Sequence, residues 1–180
     1  FFNLSLGSVC FNEEFKKINF GHPKVINATE TGIYSGSGIR NDSIITAISG
    51  TGLFNITYAF TDTNGCSASI MDTLRVHGLP LVTLSAFNPV CEVVDTVHLN
   101  GGFPLNGIYT SIKNTVDTLL SGQQYLNTLS PGGTIDTITY TYSDGNNCTA
   151  SASQAFNINA LPAVTFNLPA TDTNICHGGN

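Results

Sequence analysis

Five cysteines are the residues of this chain best placed to do chemistry: Cys10, Cys66, Cys91, Cys148 and Cys176. Two thiols held within a few ångströms close to a disulfide in an oxidising compartment. The separations alternate: 56 (66 − 10), 25 (91 − 66), 57 (148 − 91) and 28 (176 − 148) residues. Two near-equal long gaps favour Cys10–Cys66 and Cys91–Cys148, each closing a loop worth about 4 kcal/mol in the chain-entropy model. Cys176 is then left unpaired, or paired outside these residues. The rival scheme, Cys66–Cys91 and Cys148–Cys176, staples neighbouring segments together, and spacing alone does not choose between the two. Five reduced, buried thiols are the third alternative. No CxxC pair or Cys/His cluster has zinc spacing.

The other candidates are weaker. His22, His77, His98 and His177 stand in no triad or metal spacing. No nucleophile elbow or oxyanion loop accompanies the many serines, so no catalytic site is expected. Gly36-Ser37-Gly38 and Gly132-Gly133 lack the helix and lysine of a phosphate loop. Asp62-x-Asn64 and Asp144-x-Asn146 open like a calcium loop but lack its later ligands and closing glutamate. Turn chemistry explains them better, which leaves Ca²⁺ as the one cofactor to test and otherwise none. Asn-x-Ser/Thr triplets begin at Asn3, Asn27, Asn41, Asn55 and Asn147, as chance provides in a chain rich in Asn and Thr.

The elements that must position the cysteines come in duplicate. Ile56–Cys66 reads ITYAFTDTNGC and Ile138–Cys148 reads ITYTYSDGNNC, a period of 82 (138 − 56). Each starts as an alternating strand, with Ile56, Tyr58 and Phe60, or Ile138, Tyr140 and Tyr142, on one face. Asp, Asn and Gly then supply a tight turn that ends at a cysteine, and a second alternating run follows. Asp72 and Gln154 interrupt that run at equivalent positions (72 + 82 = 154), which suggests a bulge or an edge site. Leu79-Pro80 and Val82-Thr83 recur as Leu161-Pro162 and Val164-Thr165. Gly32-Ile33-Tyr34 recurs as Gly107-Ile108-Tyr109, offset by 75, so the copies differ by loop insertions near it. Phe15–Phe20 and Val93–Leu99 are expected as strands, and no stretch reads as a helix beyond one turn over Glu13–Lys17. The expected domains are 1–78 and 79–160, with 161–180 opening a third that is too short to build a core of its own.

Of 180 residues 41% are hydrophobic and only 10% charged, with net charge −6. No basic stripe is present for nucleic acid or an anionic membrane, and no apolar run reaches the length of a membrane span. Thr, Asn and Gly abundance with many turn signals points to an all-β fold of tandem antiparallel β-sandwich repeats, with a small closed barrel as runner-up.

The order of Cys, Leu99-Asn100-Gly101-Gly102-Phe103-Pro104, Gly-Ile-Tyr, the Cys-ended hairpin and Leu-Pro resembles the tandem immunoglobulin-like (PKD-like) repeats of very large Bacteroidota surface proteins. The first copy departs from it, with Phe20-Gly21-His22-Pro23 where Gly-Gly-x-Pro is expected. The resemblance implies modules of a type IX-secreted adhesin or extracellular filament. Such modules are non-catalytic rods or spacers, contacting neighbouring repeats and assembling into an oligomer or fibre. The Asp-Ser/Thr-aliphatic triplets are similar to the O-glycosylation signal of that group's secreted proteins, which marks Ser43, Thr73, Thr96, Thr118 and Thr137. Two other functions stay open: a module binding a glycan or cell surface through Tyr34, Tyr58, Tyr109, Tyr140 or Tyr142, and an accessory domain of a secreted hydrolase. Tyr58 and Tyr140 lie on the apolar face of their strands and are expected in the core.

Overall fold

The computed structural model describes residues 6–11, 16–17, 32–41, 43–92, 96–118, 123–128 and 130–166. Within them the first copy holds β1 (Ser8–Cys10), β2 (Lys16–Lys17), β3 (Ile33–Ser35), β4 (Ile39–Arg40), β5 (Ser43–Ile44), the helical turn α1 (Thr46–Ser49), β6 (Gly52–Thr61) and β7 (Ser67–His77). The second holds β8 (Thr83–Leu84), β9 (Val90–Cys91), β10 (Thr96–Leu99), β11 (Gly102–Phe103), β12 (Ile108–Ser111), β13 (Thr115–Thr118), β14 (Gln124–Asn127), β15 (Thr134–Ser143) and β16 (Thr149–Asn159).

The two copies have one topology. In the first, a four-stranded sheet runs β1-β7-β6-β3 and a three-stranded sheet β2-β5-β4. In the second, the orders are β9-β16-β15-β12 and β10-β14-β13, the same strands taken one for one. β8 and β11 form a further pair, Leu84 opposite Gly102. Four strands facing three, with the first strand parallel to the last, is an immunoglobulin-like sandwich. The fold is therefore all-β, as the alternation and turn residues predict.

The alternation places the core. Ile56, Tyr58 and Phe60 of β6 are buried, with Leu74 and Val76 of β7, and they pack with Val9, Tyr34 and Ile44 in one cluster. Each such side chain contributes roughly 1.5–3 kcal/mol by leaving water. In β15 and β16 the equivalents Ile138, Tyr140, Phe156 and Ile158 are likewise buried. Two small residues make room for the aromatics. Gly32 and Gly107 each donate a backbone N–H to a tyrosine hydroxyl, Gly32 to Tyr58 at 2.8 Å and Gly107 to Tyr140 at 2.6 Å. A Cβ would lie 2.4 Å from the Tyr58 ring at Gly32 and 2.3 Å from the Tyr140 ring at Gly107, so only glycine fits. The recurring Gly-Ile-Tyr is this contact.

Three local expectations are corrected. β7 pairs with β6 without a break, Asp72 opposite Ile56, so the expected bulge does not form; among the described residues β1 meets β7 only at Arg75–His77, so Asp72 does lie at an edge. The Asp72 carboxylate instead accepts the N–H of Leu6 at 2.9 Å, just before β1 joins β7. Of the turn expected over Glu13–Lys17, Lys16–Lys17 is instead a short strand paired to β5, and residues 13–15 lie outside the described residues. The turn that does form, Thr46–Ser49, has no periodicity to betray it; buried Thr46 anchors it by donating its hydroxyl to the Phe11 carbonyl.

By proximity the chain divides into two compact units. One comprises Phe1–Ser85, Asn100–Tyr109 and Thr139–Ser153; the other comprises Ala86–Leu99, Thr110–Ile138 and Gln154–Asn180. The period of 82 shows in the sheet orders and not in this division.

Candidate functional site at the paired and open cysteines

Each hairpin tip is built on an aspartate. In the first copy the Asp62 carboxylate accepts the N–H of Asn64 at 2.9 Å and of Cys66 at 2.7 Å. In the second, Asp144 accepts Asn146 at 2.8 Å and Cys148 at 2.9 Å. The backbone closes identically, Asp62 N–H to Cys66 carbonyl at 2.9 Å and Asp144 N–H to Cys148 carbonyl at 3.0 Å. Flanking hydroxyls pair across each ladder, Thr61 with Ser67 and Ser143 with Thr149. The hydrogen bond from the Cys148 N–H is the largest influence holding the Asp144 carboxyl below its ordinary range. Burial opposes it, and Asn146 and the nearby His77 add to it. These oxygens are thus used on the turn itself.

The early cysteine of each copy is also placed twice alike. Cys10 lies opposite His77 in the parallel β1–β7 pair, and the next N–H, of Phe11, donates to the His77 carbonyl at 2.9 Å. Cys91 lies opposite Asn159 in the parallel β9–β16 pair, and the Glu92 N–H donates to the Asn159 carbonyl at 3.0 Å. His77 and Asn159 are repeat equivalents (77 + 82 = 159).

The structure joins Cys10 to Cys148, with Cα atoms 5.4 Å apart and 138 residues between them in sequence. Cys66 and Cys91 are free thiols and exposed. This corrects both pairing schemes. The physical reason lies in β7. Cys10 stands beside His77 at the end of that strand, whereas Cys66 precedes its start, eleven residues away (77 − 66). Eleven extended residues span roughly 36 Å, far beyond the ~7 Å a disulfide bridges. The same count separates Asn159 from Cys148 (159 − 148), so Cys91 and Cys148 are kept apart alike. What reaches Cys10 is the hairpin tip of the other copy. Cys10 is 6% and Cys148 0% exposed, while their equivalents Cys91 and Cys66 are open to solvent. Cys176 lies outside the described residues.

The remaining candidates do not gather into a second site. Among the described residues no three His, Cys, Asp or Glu side chains converge as a metal would need. His77 is half-buried, and His98 is exposed with its ring 5.0 Å from that of Tyr125. His22 and His177 are outside the described residues. Tyr34, Tyr58, Tyr109 and Tyr140 are buried, the ring pairs 34–58 and 109–140 lying 4.7 and 4.6 Å apart; Tyr142 is half-buried. Thr73 and Thr96 are exposed, Ser43 and Thr137 half-buried, and Thr118 ends β13.

One functional-looking residue escaped the sequence reading. Asp136, read as part of a glycosylation triplet, is 1% exposed. Burial pushes its carboxyl up, but donation by Ser111, Asn114 and the backbone N–H groups of Thr137 and Lys113 outweighs this and holds it below the ordinary range. The contacts run from 2.5 Å (Ser111) to 3.1 Å (Lys113). Three of the four bonds knit the 111–114 segment to β15 and the fourth, from Thr137, stays within β15, a structural role. Asp136 has Phe54 as its repeat equivalent (136 − 82), so the period gave no signal for it.

No protein-family model matches the chain, and no curated protein is similar to it. Among solved structures it is similar to "Sidekick-1 immunoglobulin domains 1-5", at 16% identity over 70% of this chain and 32% of that one, TM-score 0.29. It is also similar to "Sidekick-1 immunoglobulin domains 1-4, crystal form 1", at 15% identity over 85% and 46%, TM-score 0.30. The chain spans less than half the length of either. The fold rests on the sheets described above.

Proposed function

We propose that the chain is a run of structural immunoglobulin-like modules from a secreted or cell-surface adhesin or filament, acting as rod or spacer without catalysis. Residues 1–78 and 79–160 are two modules and 161–180 opens a third. The observation that carries this is one sandwich topology used twice, with a covalent bond from the first copy to the second. Modules repeated in series and cross-linked at the joint resist being pulled or rotated apart, which is what a spacer under load requires. The opening of a third module is supported by Phe166, 85% exposed where its repeat equivalent Leu84 is 6% exposed. The disulfide favours an oxidising, extracellular setting, and no described helix is long and apolar enough to cross a membrane.

The glycan-binding reading has no observation in its favour, since four of the five tyrosines that could stack on a sugar are buried. O-glycans belong to this proposal as modifications, best accommodated at exposed Thr73 and Thr96; an intact mass equal to the bare polypeptide removes them. Calcium is not needed by it, and a calcium-dependent rise in melting temperature would add a ligand. The rod itself is tested by X-ray scattering of the monomer. A compact globule of this length has a radius of gyration of about 16 Å. Modules in series give a value well above that, and a value near it contradicts the proposal.

A further inference from the structure

The Cys10–Cys148 joint has two halves, and this chain carries a spare copy of each. One half is a cysteine beside the end of the last strand, as at Cys10; Cys91 repeats it, down to the following N–H bonded across to Asn159. The other half is a cysteine closing an aspartate-built hairpin tip, as at Cys148; Cys66 repeats it bond for bond. The joined halves are buried. The spare halves are exposed and their thiols are free. Because the local frameworks match, the difference lies in whether a partner is seated.

We propose that Cys91 and Cys66 are the two ends of an intermodular disulfide relay: Cys91 takes the hairpin-tip cysteine of a following module, and Cys66 takes the early cysteine of a preceding one. The partner in each case is a module of this same design, and in solution it is a second copy of this chain, joined head to tail through Cys91 of one and Cys66 of the next. The inference rests on the reading of the chain as modules in series.

The bond forms by exchange with a low-molecular-weight disulfide. The Cys91 thiolate attacks it, forming a mixed disulfide and expelling one thiolate. The Cys66 thiolate of the second chain then attacks the Cys91 sulfur and expels the other. Two protein thiols are oxidised to one disulfide, the reagent disulfide is reduced to two thiols, and the protons pass to those thiols. Head-to-tail joining is heterologous, so it propagates into a chain instead of stopping at a symmetric dimer.

The test uses the full chain with Cys176→Ser, its Cys10–Cys148 bond intact. It is held at about 1 mM, an effective concentration of the order a short tether supplies, with oxidised glutathione as the reagent disulfide. The expected result is a ladder of covalent multimers on a non-reducing gel. A mixture of isotopically light and heavy chains should yield light–heavy peptides joining Cys91 to Cys66. Adding Cys66→Ser leaves only Cys91 free, and adding Cys91→Ser leaves only Cys66; mixing these two variants should give a dimer and nothing larger. Symmetric Cys66–Cys66 or Cys91–Cys91 dimers as the main product, a Cys66–Cys91 bond within one monomer, or glutathione adducts alone would overturn the proposal. Scattering from the monomer reports on the modules-in-series reading separately, so an extended monomer that forms no ladder removes the relay and leaves that reading standing.

Discussion

The two cysteine sites of each sandwich offer a comparison internal to one molecule. At Cys10 and Cys148 the strand end and the hairpin tip meet, and both sulfurs are buried. At Cys91 and Cys66 the same backbone hydrogen bonds, the same parallel register and the same aspartate turn leave the sulfurs in water. Local sequence therefore builds each half of the joint, and at Cys10–Cys148 the two copies supply one half each. Matching local frameworks thus accompany opposite exposures, and reading a cysteine from its own strand alone gives the wrong pairing.

The largest effect expected from breaking the comparison is at the closed joint. Its bond closes a loop of 138 residues, for which the chain-entropy model gives about 5 kcal/mol. Cys148→Ser should lower unfolding stability by about 2–5 kcal/mol, measured by chemical denaturation, whereas Cys66→Ser should leave the isolated chain nearly unchanged. Equal losses from the two would erase the distinction between closed and open sites.

The next effect tests whether the copies share one packing device. Gly107→Ala and Gly32→Ala each drive a methyl into a tyrosine ring. Overpacking of this kind costs about 1–3 kcal/mol, and both variants should fall by similar amounts in thermal melts. A loss confined to one would show that the repeated Gly-Ile-Tyr does not do the same work twice.

A smaller effect concerns a place where the copies differ. Asp136 accepts four hydrogen bonds where the first copy has Phe54. Asp136→Asn should cost about 2 kcal/mol, in the range for hydrogen bonds to a charged group. The carboxyl titrates lower in the folded chain than in the unfolded one. Its contribution is therefore fully present above the unfolded carboxylate range and is lost as pH falls through the lowered folded value. The wild type should lose stability in acid more steeply than the Asn variant; parallel curves would remove the role assigned to Asp136.

How much of this was legible in the sequence follows from what kind of contact each feature is. The β6 and β15 strands, their buried faces and their turns are local, and alternation with Asp, Asn and Gly encodes them directly. The Gly-Ile-Tyr recurrence was visible, though its cause, a backbone seated on a tyrosine ring, was not. Cysteine spacing does not reveal the disulfide because its register is tertiary. Nothing in Ser8–Cys10 announces that it runs parallel to the far end of β7, and that alone puts Cys10 and Cys66 at opposite ends of one sandwich. Two near-equal gaps of 56 and 57 residues arise because the copies are equal, not because the bond lies within each. The turn at Thr46–Ser49 is held by one hydroxyl reaching Phe11, and four residues carry no period.

The most direct measurement is a peptide map of the oxidised chain, digested without reduction and read by mass spectrometry. One dominant cross-linked species containing Cys10 and Cys148 is expected, with Cys66 and Cys91 recovered as alkylated thiols in the monomer. Recovery of Cys10 linked to Cys66, together with Cys91 linked to Cys148, would contradict this pairing.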